Sequence, residues 1–124
     1  MRRVVIDAAT FVAWFGADAE PRQLRAKYEA GQLGVLVPPS FVPDVLGLVA
    51  DRGWRRDRIV MLARALPAIG FEVRDPRLET LARWLGGGVT PAQAAYPALA
   101  EDSGRPLVAS DPVVRKRAAS VLQR

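Results

Sequence analysis

Three aspartates stand where an α/β chain carries its chemistry. Asp7 ends the apolar run Val4-Val5-Ile6, Asp111 follows Leu107-Val108-Ala109-Ser110, and Asp44 lies about one helical turn beyond Ser40, which closes the stretch Gly34-Val35-Leu36-Val37-Pro38-Pro39. In open parallel sheets ligands collect beyond the carboxyl ends of the strands, so these three converge if strands 1, 2 and 4 lie close together. Converging carboxylates repel one another and raise each other's proton affinity until a hard cation neutralises them. The chain contains no His and no Cys. That excludes histidine bases, Ser-His-Asp triads, thiol nucleophiles, zinc fingers and iron–sulfur clusters, and leaves Mg²⁺ or Mn²⁺ held by carboxylates and water as the fitting metal chemistry.

Each aspartate also has a plain structural reading. Asp7 N-caps a helix beginning at Ala8, Asp111-Pro112 is a cap followed by proline at the first helical position, and Asp44 complements a helix dipole. Asp7 sits least easily in that reading. A carboxylate ending so apolar a run is partly buried, and a buried unpaired charge is expensive.

The elements that must position these residues alternate. Val4 to Ile6 is β-branched, and Ala8 to Phe15 switches to helix formers. Leu24 and Tyr28 mark a surface helix over Glu20 to Ala30, stopped at Gly31. Gly34 to Val37 reads as a second strand, with Ser40 as N-cap of a helix from Phe41 to about Arg52 and Pro43 tolerated in its first turn. Trp54 to Leu66 has helical spacing, Pro67 and Gly70 close it, and Phe71-Glu72-Val73 is a third strand. Asp75-Pro76 and Thr90-Pro91 open two more helices on either side of Gly86-Gly87-Gly88. Leu107-Val108-Ala109 is a fourth strand, and a last helix runs from Pro112 to about Ala119. The order βααβααβααβα, with short and nearly uninterrupted apolar strands, predicts a three-layer α/β/α fold around a parallel sheet of four to five strands. One domain accounts for residues 1–124.

Size and charge agree with that class. A chain of 124 residues and 13.5 kDa buries about two-thirds of its unfolded surface, enough for one core. Lys and Arg total 18 against 13 Asp and Glu, for a net charge of +5, which favours an anionic partner. Arg52, Arg55, Arg56, Arg58 and Arg64 form one basic stretch and Arg115, Lys116, Arg117 and Arg124 another. Such stretches attract phosphate without sequence preference, or simply solvate helix faces. Trp14, Phe15, Trp54 and Trp84 stand near helix ends and read chiefly as core aromatics. A cytoplasmic protein without membrane association is expected.

Here the residues resemble a known family. Val4-Val5-Ile6-Asp7-Ala8-Ala9-Thr10-Phe11-Val12-Ala13-Trp14 is similar to the opening strand and helix of PIN domains, in particular the VapC toxins of prokaryotic toxin–antitoxin pairs. Thr90 to Glu101 and Pro106-Leu107-Val108-Ala109-Ser110-Asp111 resemble the second half of that fold, and the likeness runs from residue 3 to about 119. The family pattern places acids after strand 1, in the helix after strand 2, inside the Tyr-bearing helix and after the next strand. Asp7 and Asp111 match the first and last, Asp44 stands one methylene shorter than the usual Glu, and Gln93 stands where the family usually has Asp.

The resemblance implies a Mg²⁺- or Mn²⁺-dependent endoribonuclease in which a metal-activated water attacks an RNA phosphodiester. Asp7 and Asp111 would be direct metal ligands, Asp44 would orient the water with the metal close by, and Gln93 would at most hold an outer water. A VapB-like antitoxin protein and a homodimer are the implied partners beside RNA. Gln93 brings no charge, so metal affinity falls. The competing reading is the same fold with hydrolysis weakened or lost, kept as an antitoxin- or RNA-binding module. A phosphoacceptor receiver is excluded by the lack of paired acids at strand 1, and a dinucleotide or P-loop site by the absence of glycine in Ala8-Ala9-Thr10.

Overall fold

The computed structural model describes residues 1–120 and residue 122. Four strands, β1 (Arg2–Ile6), β2 (Leu33–Val37), β3 (Glu72–Val73) and β4 (Leu107–Val108), pair in parallel in the order β3-β2-β1-β4. The helices among the described residues are α1 (Ala8–Ala13), α2 (Ala19–Glu29), α3 (Phe41–Asp51), α4 (Arg56–Ala65), α5 (Leu78–Trp84), α6 (Pro91–Ser103) and α7 (Pro112–Arg117). The fold is α/β in three layers, with two helices between successive strands, as the alternation predicts. No helix among the described residues is long and apolar enough to cross a membrane.

The sheet explains its own sequence. Val4, Val5 and Ile6 are fully buried, and Val35, Leu36 and Val37 nearly so. Successive side chains of a strand point to opposite faces, so unbroken burial requires helices on both. Registers Val5↔Leu36 and Val5↔Leu107 put β1 at the centre, with β2 and β4 against it. The edge strand β3 is different, since Glu72 and Val73 are both exposed. Phe71, just before it, supplies the apolar anchor, its ring 5.1 to 5.8 Å from those of Phe11, Trp14, Tyr28 and Phe41. Trp14 belongs to this aromatic core, whereas Phe15 is exposed beneath the Arg25 guanidinium.

Several boundaries move for local reasons. Helix α4 begins at Arg56 rather than Trp54, because Gly53 at φ +83° turns the chain and Arg55 is extended. It tightens into a 3-10 turn at Leu66–Ile69 around Pro67, which has no N–H to give. Helix α5 begins at Leu78, not at Asp75-Pro76. Its cap partner comes from α6 instead: Asp102 accepts the Arg77 N–H and the Thr80 hydroxyl, each at 2.6 Å. Thr80 is therefore buried while Leu78 is 81% exposed, against the apolar spacing of that segment. Ser40 precedes α3 but makes no cap bond with its side chain, whose hydroxyl is buried without a partner.

Candidate functional site

The order β3-β2-β1-β4 sends the chain from β1 to one side and brings it back on the other. The crevice of such a sheet opens where that direction changes, between the carboxyl ends of β1 and β4. Asp7 follows β1 and Asp111 follows β4, so both stand at that crevice. A groove of about 580 Å³ lies over it, with Asp7, Asp44, Gln93 and Asp111 all in its lining. The structure thus brings together every residue that the sequence singled out for the site.

What holds each of them is hydrogen bonding within the protein. Asp7 is the N-cap of α1 and only 1% exposed. Its Oδ1 accepts the Thr10 N–H at 2.9 Å and the Ser110 N–H at 3.2 Å, and its Oδ2 accepts Ser110 at 3.1 Å and Asp111 at 3.0 Å. The cost of burying this charge is met by backbone donors from both sides of the crevice. Thr10 strengthens the same junction. Its hydroxyl donates to the Val108 carbonyl at 3.1 Å, so the Ser110 hydroxyl, 2.9 Å away, is the donor to Thr10.

Asp111 N-caps α7 through Oδ1, which accepts the Val113 N–H at 2.8 Å. Its Oδ2 accepts the Gln93 amide at 3.2 Å. Gln93 is itself half of a capping box with Thr90: its Oε1 accepts the Thr90 N–H at 2.9 Å and its own N–H goes to the Thr90 hydroxyl at 3.1 Å. Asp44, in the first turn of α3, accepts the Tyr96 hydroxyl on Oδ2 at 2.7 Å. Tyr96 is 3% exposed. Burial, with the hydrogen bond to Asp44 and that residue's charge adding to it, holds its phenol neutral far above the ordinary value of 10.0.

The donor set does not suit a divalent ion as it stands. Among the described residues no group of three or more acidic side chains is placed to share a metal. Asp7 has its carboxylate oxygens occupied by four N–H contacts, Asp111 accepts a cap bond on one oxygen and an amide on the other, and Asp44 accepts a phenol on Oδ2. Among the described residues, a ligand entering the groove meets Asp44, Asp51 and Asp111 against a single cation, Arg52, with Ala8, Ala9, Pro43, Leu48 and Val114 as apolar wall.

Sequence reasoning missed Asp51, Tyr96 and Ser110. Asp51 follows Asp44 by seven residues, two helical turns along the same face of α3, and Tyr96 follows Gln93 by three, so both were signalled by spacing. Ser110 acts through its N–H and carried no residue-type signal. The basic stretches divide. Arg55, Arg56 and Arg64 stand with Val60 and Met61 on the outer face of α4, and Arg58 lies over the Trp54 ring at 4.4 Å. Arg117 turns inward instead, donating to the carbonyls of Arg83 and Leu85 at 3.0 and 3.4 Å with its guanidinium over Trp84. Arg124 lies outside the described residues.

No protein-family model matches the chain, and no curated protein does. Among solved structures the chain is similar to PAE2754 from Pyrobaculum aerophilum, with a TM-score of 0.66 at 21% sequence identity over 98% of this chain and 90% of that one. At that identity the likeness speaks for the shared fold.

Proposed function

We propose that the chain is a PIN-like module of the VapC type that holds a polypeptide partner in its groove and has little or no hydrolytic activity. The observation that carries this reading is the Gln93 amide, which occupies Asp111 with a neutral hydrogen bond where the family pattern places another acid. The charge of the groove points to the partner. A polynucleotide entering there would set phosphates against Asp44, Asp51 and Asp111, with Arg52 the one compensating cation among the described residues. An extended VapB-like antitoxin segment, with apolar residues on the walls and a basic side chain over the carboxylates, matches both surfaces.

The nuclease reading retains one supporting observation, the gathering of Asp7, Asp44, Gln93 and Asp111 around one groove. In that reading Asp7, Asp44 and Asp111 would hold Mg²⁺ or Mn²⁺, which would supply an activated water for RNA hydrolysis, the arginines of α4 would draw the RNA in, and a homodimer would present two such grooves. A binding titration separates the readings. A synthetic peptide of alternating apolar and arginine residues binds with salt-sensitive affinity, its glutamate counterpart does not, and Asp44→Asn with Asp51→Asn weakens the arginine peptide several-fold. Equal binding of both peptides contradicts the proposal.

A further inference from the structure

We infer that Asp7 is a positioning residue that fixes the β4–α7 loop through backbone amides, and that the groove takes its shape without a divalent cation. This goes beyond the question of what fills the groove. Three N–H groups, from Thr10, Ser110 and Asp111, point at one carboxylate that is 1% exposed, and two of them belong to a loop more than 100 residues away in sequence. Convergent N–H dipoles create the positive potential that a metal ion would otherwise supply. A cation approaching the same oxygens would have to displace those donors or meet their hydrogens.

The consequence is positional. The Asp111 N–H is held by Asp7 while the Asp111 side chain caps α7 and receives Gln93, so one buried carboxylate sets where the Asp111 side of the groove stands. The Thr10 and Ser110 hydroxyl pair closes the junction from the side.

This assignment reverses the expected sign of a familiar substitution. In a cluster of mutually repelling metal ligands, replacing one Asp by Asn relieves repulsion and stabilises the metal-free protein. In an amide clamp, Asn turns an NH₂ toward N–H donors and leaves at least one of them unpaired. We expect Asp7→Asn, in chelator, to lower the folding equilibrium constant by about tenfold or more. In ¹⁵N-resolved spectra the amide that faces the new NH₂, Asp111 or Thr10, loses its hydrogen-exchange protection, while Ser110, which reaches both positions of the side chain, and Val113, capped by Asp111, keep theirs. A loss of fold stability alone would not pick out that one amide and spare Ser110 and Val113.

The wild-type protein supplies a second measurement should Asp7→Asn fail to fold. Titrated with Mn²⁺, the Thr10, Ser110 and Asp111 amides broaden no more than those beside the exposed Asp57 and Glu79, and the unfolding temperature is the same in Mn²⁺ and in chelator. Selective broadening of those amides, a Mn²⁺-dependent rise in unfolding temperature, or Asp7→Asn more stable than wild type in chelator would each overturn the inference. None of these readouts involves a peptide or RNA, so failure here is distinct from failure of the proposed function.

Discussion

Gln93 bridges two helix caps: its Nε2 donates to Asp111 Oδ2 at 3.2 Å while its Oε1 holds the Thr90 N–H at 2.9 Å. A neutral amide does both because it is donor and acceptor at once. A carboxylate at this position would keep only the second role and would face Asp111 as a like charge. Gln93→Asp is therefore expected to cost about 1–2 kcal/mol in chelator. It should also gain a response to Mn²⁺, about 2.7 kcal/mol at a hundred times the dissociation constant. Thermal unfolding with and without Mn²⁺ measures both, and unchanged stability in chelator would show that the bridge contributes nothing.

Tyr96 and Asp44 join α6 to α3 by a 2.7 Å hydrogen bond from a phenol that is 3% exposed. Tyr96→Phe leaves Asp44 at the groove without its donor and is expected to destabilise the fold by about 1–2 kcal/mol. The alkaline limb carries the sign. Burial first, then Asp44, raises the folded phenol above the unfolded value of 10.0, so its contribution is full below that value and is lost as pH rises through the folded one. Stability measured above pH 10 should fall less steeply in Tyr96→Phe than in wild type, and equal slopes would contradict the assignment.

Asp102 governs the acid side of the α5–α6 contact. Burial alone would raise its carboxyl, but the Thr80 hydroxyl and the Arg77 backbone and guanidinium outweigh it and hold the value below the ordinary 3.8. A depressed carboxyl contributes stability above its unfolded value and loses it as pH falls through the folded one. Asp102→Asn should flatten the loss of stability below about pH 4. An acid limb identical to that of wild type would assign the transition to other carboxylates.

Arg117 is a structural arginine. It carries the carbonyls of Arg83 and Leu85 and covers Trp84, whose indole N–H donates to Glu101 at 2.7 Å. Arg117→Ala is expected to cost about 1–3 kcal/mol with little change in the salt needed to elute the protein from a polyanion matrix. Replacing Arg55 and Arg56 by Ala should do the reverse.

How much of this was legible in the sequence depends on the range of the interaction. Val4 to Ile6 and Leu107-Val108 announce buried parallel strands by composition, and Asp7, Thr90 and Asp111 announce caps, because strands and caps are set by near neighbours. The convergence of Asp7 with Asp111 followed from strand-end placement once β1 lies beside β4. The N-terminus of α5 was not legible, since its cap partner Asp102 is 25 residues away from Arg77. Nor was the inward turn of Arg117, which shares its composition with solvent-facing arginines. The four contacts on Asp7 escaped for a further reason: backbone N–H groups leave no mark in residue types.

The most direct test of the central claim, a groove that binds without cutting, is incubation of the folded protein with structured and single-stranded RNAs in Mg²⁺ and in Mn²⁺. Asp111→Asn and a chelator serve as controls. The account predicts no cleavage above either control. Cleavage that disappears in both would show a working metal-dependent ribonuclease and contradict it.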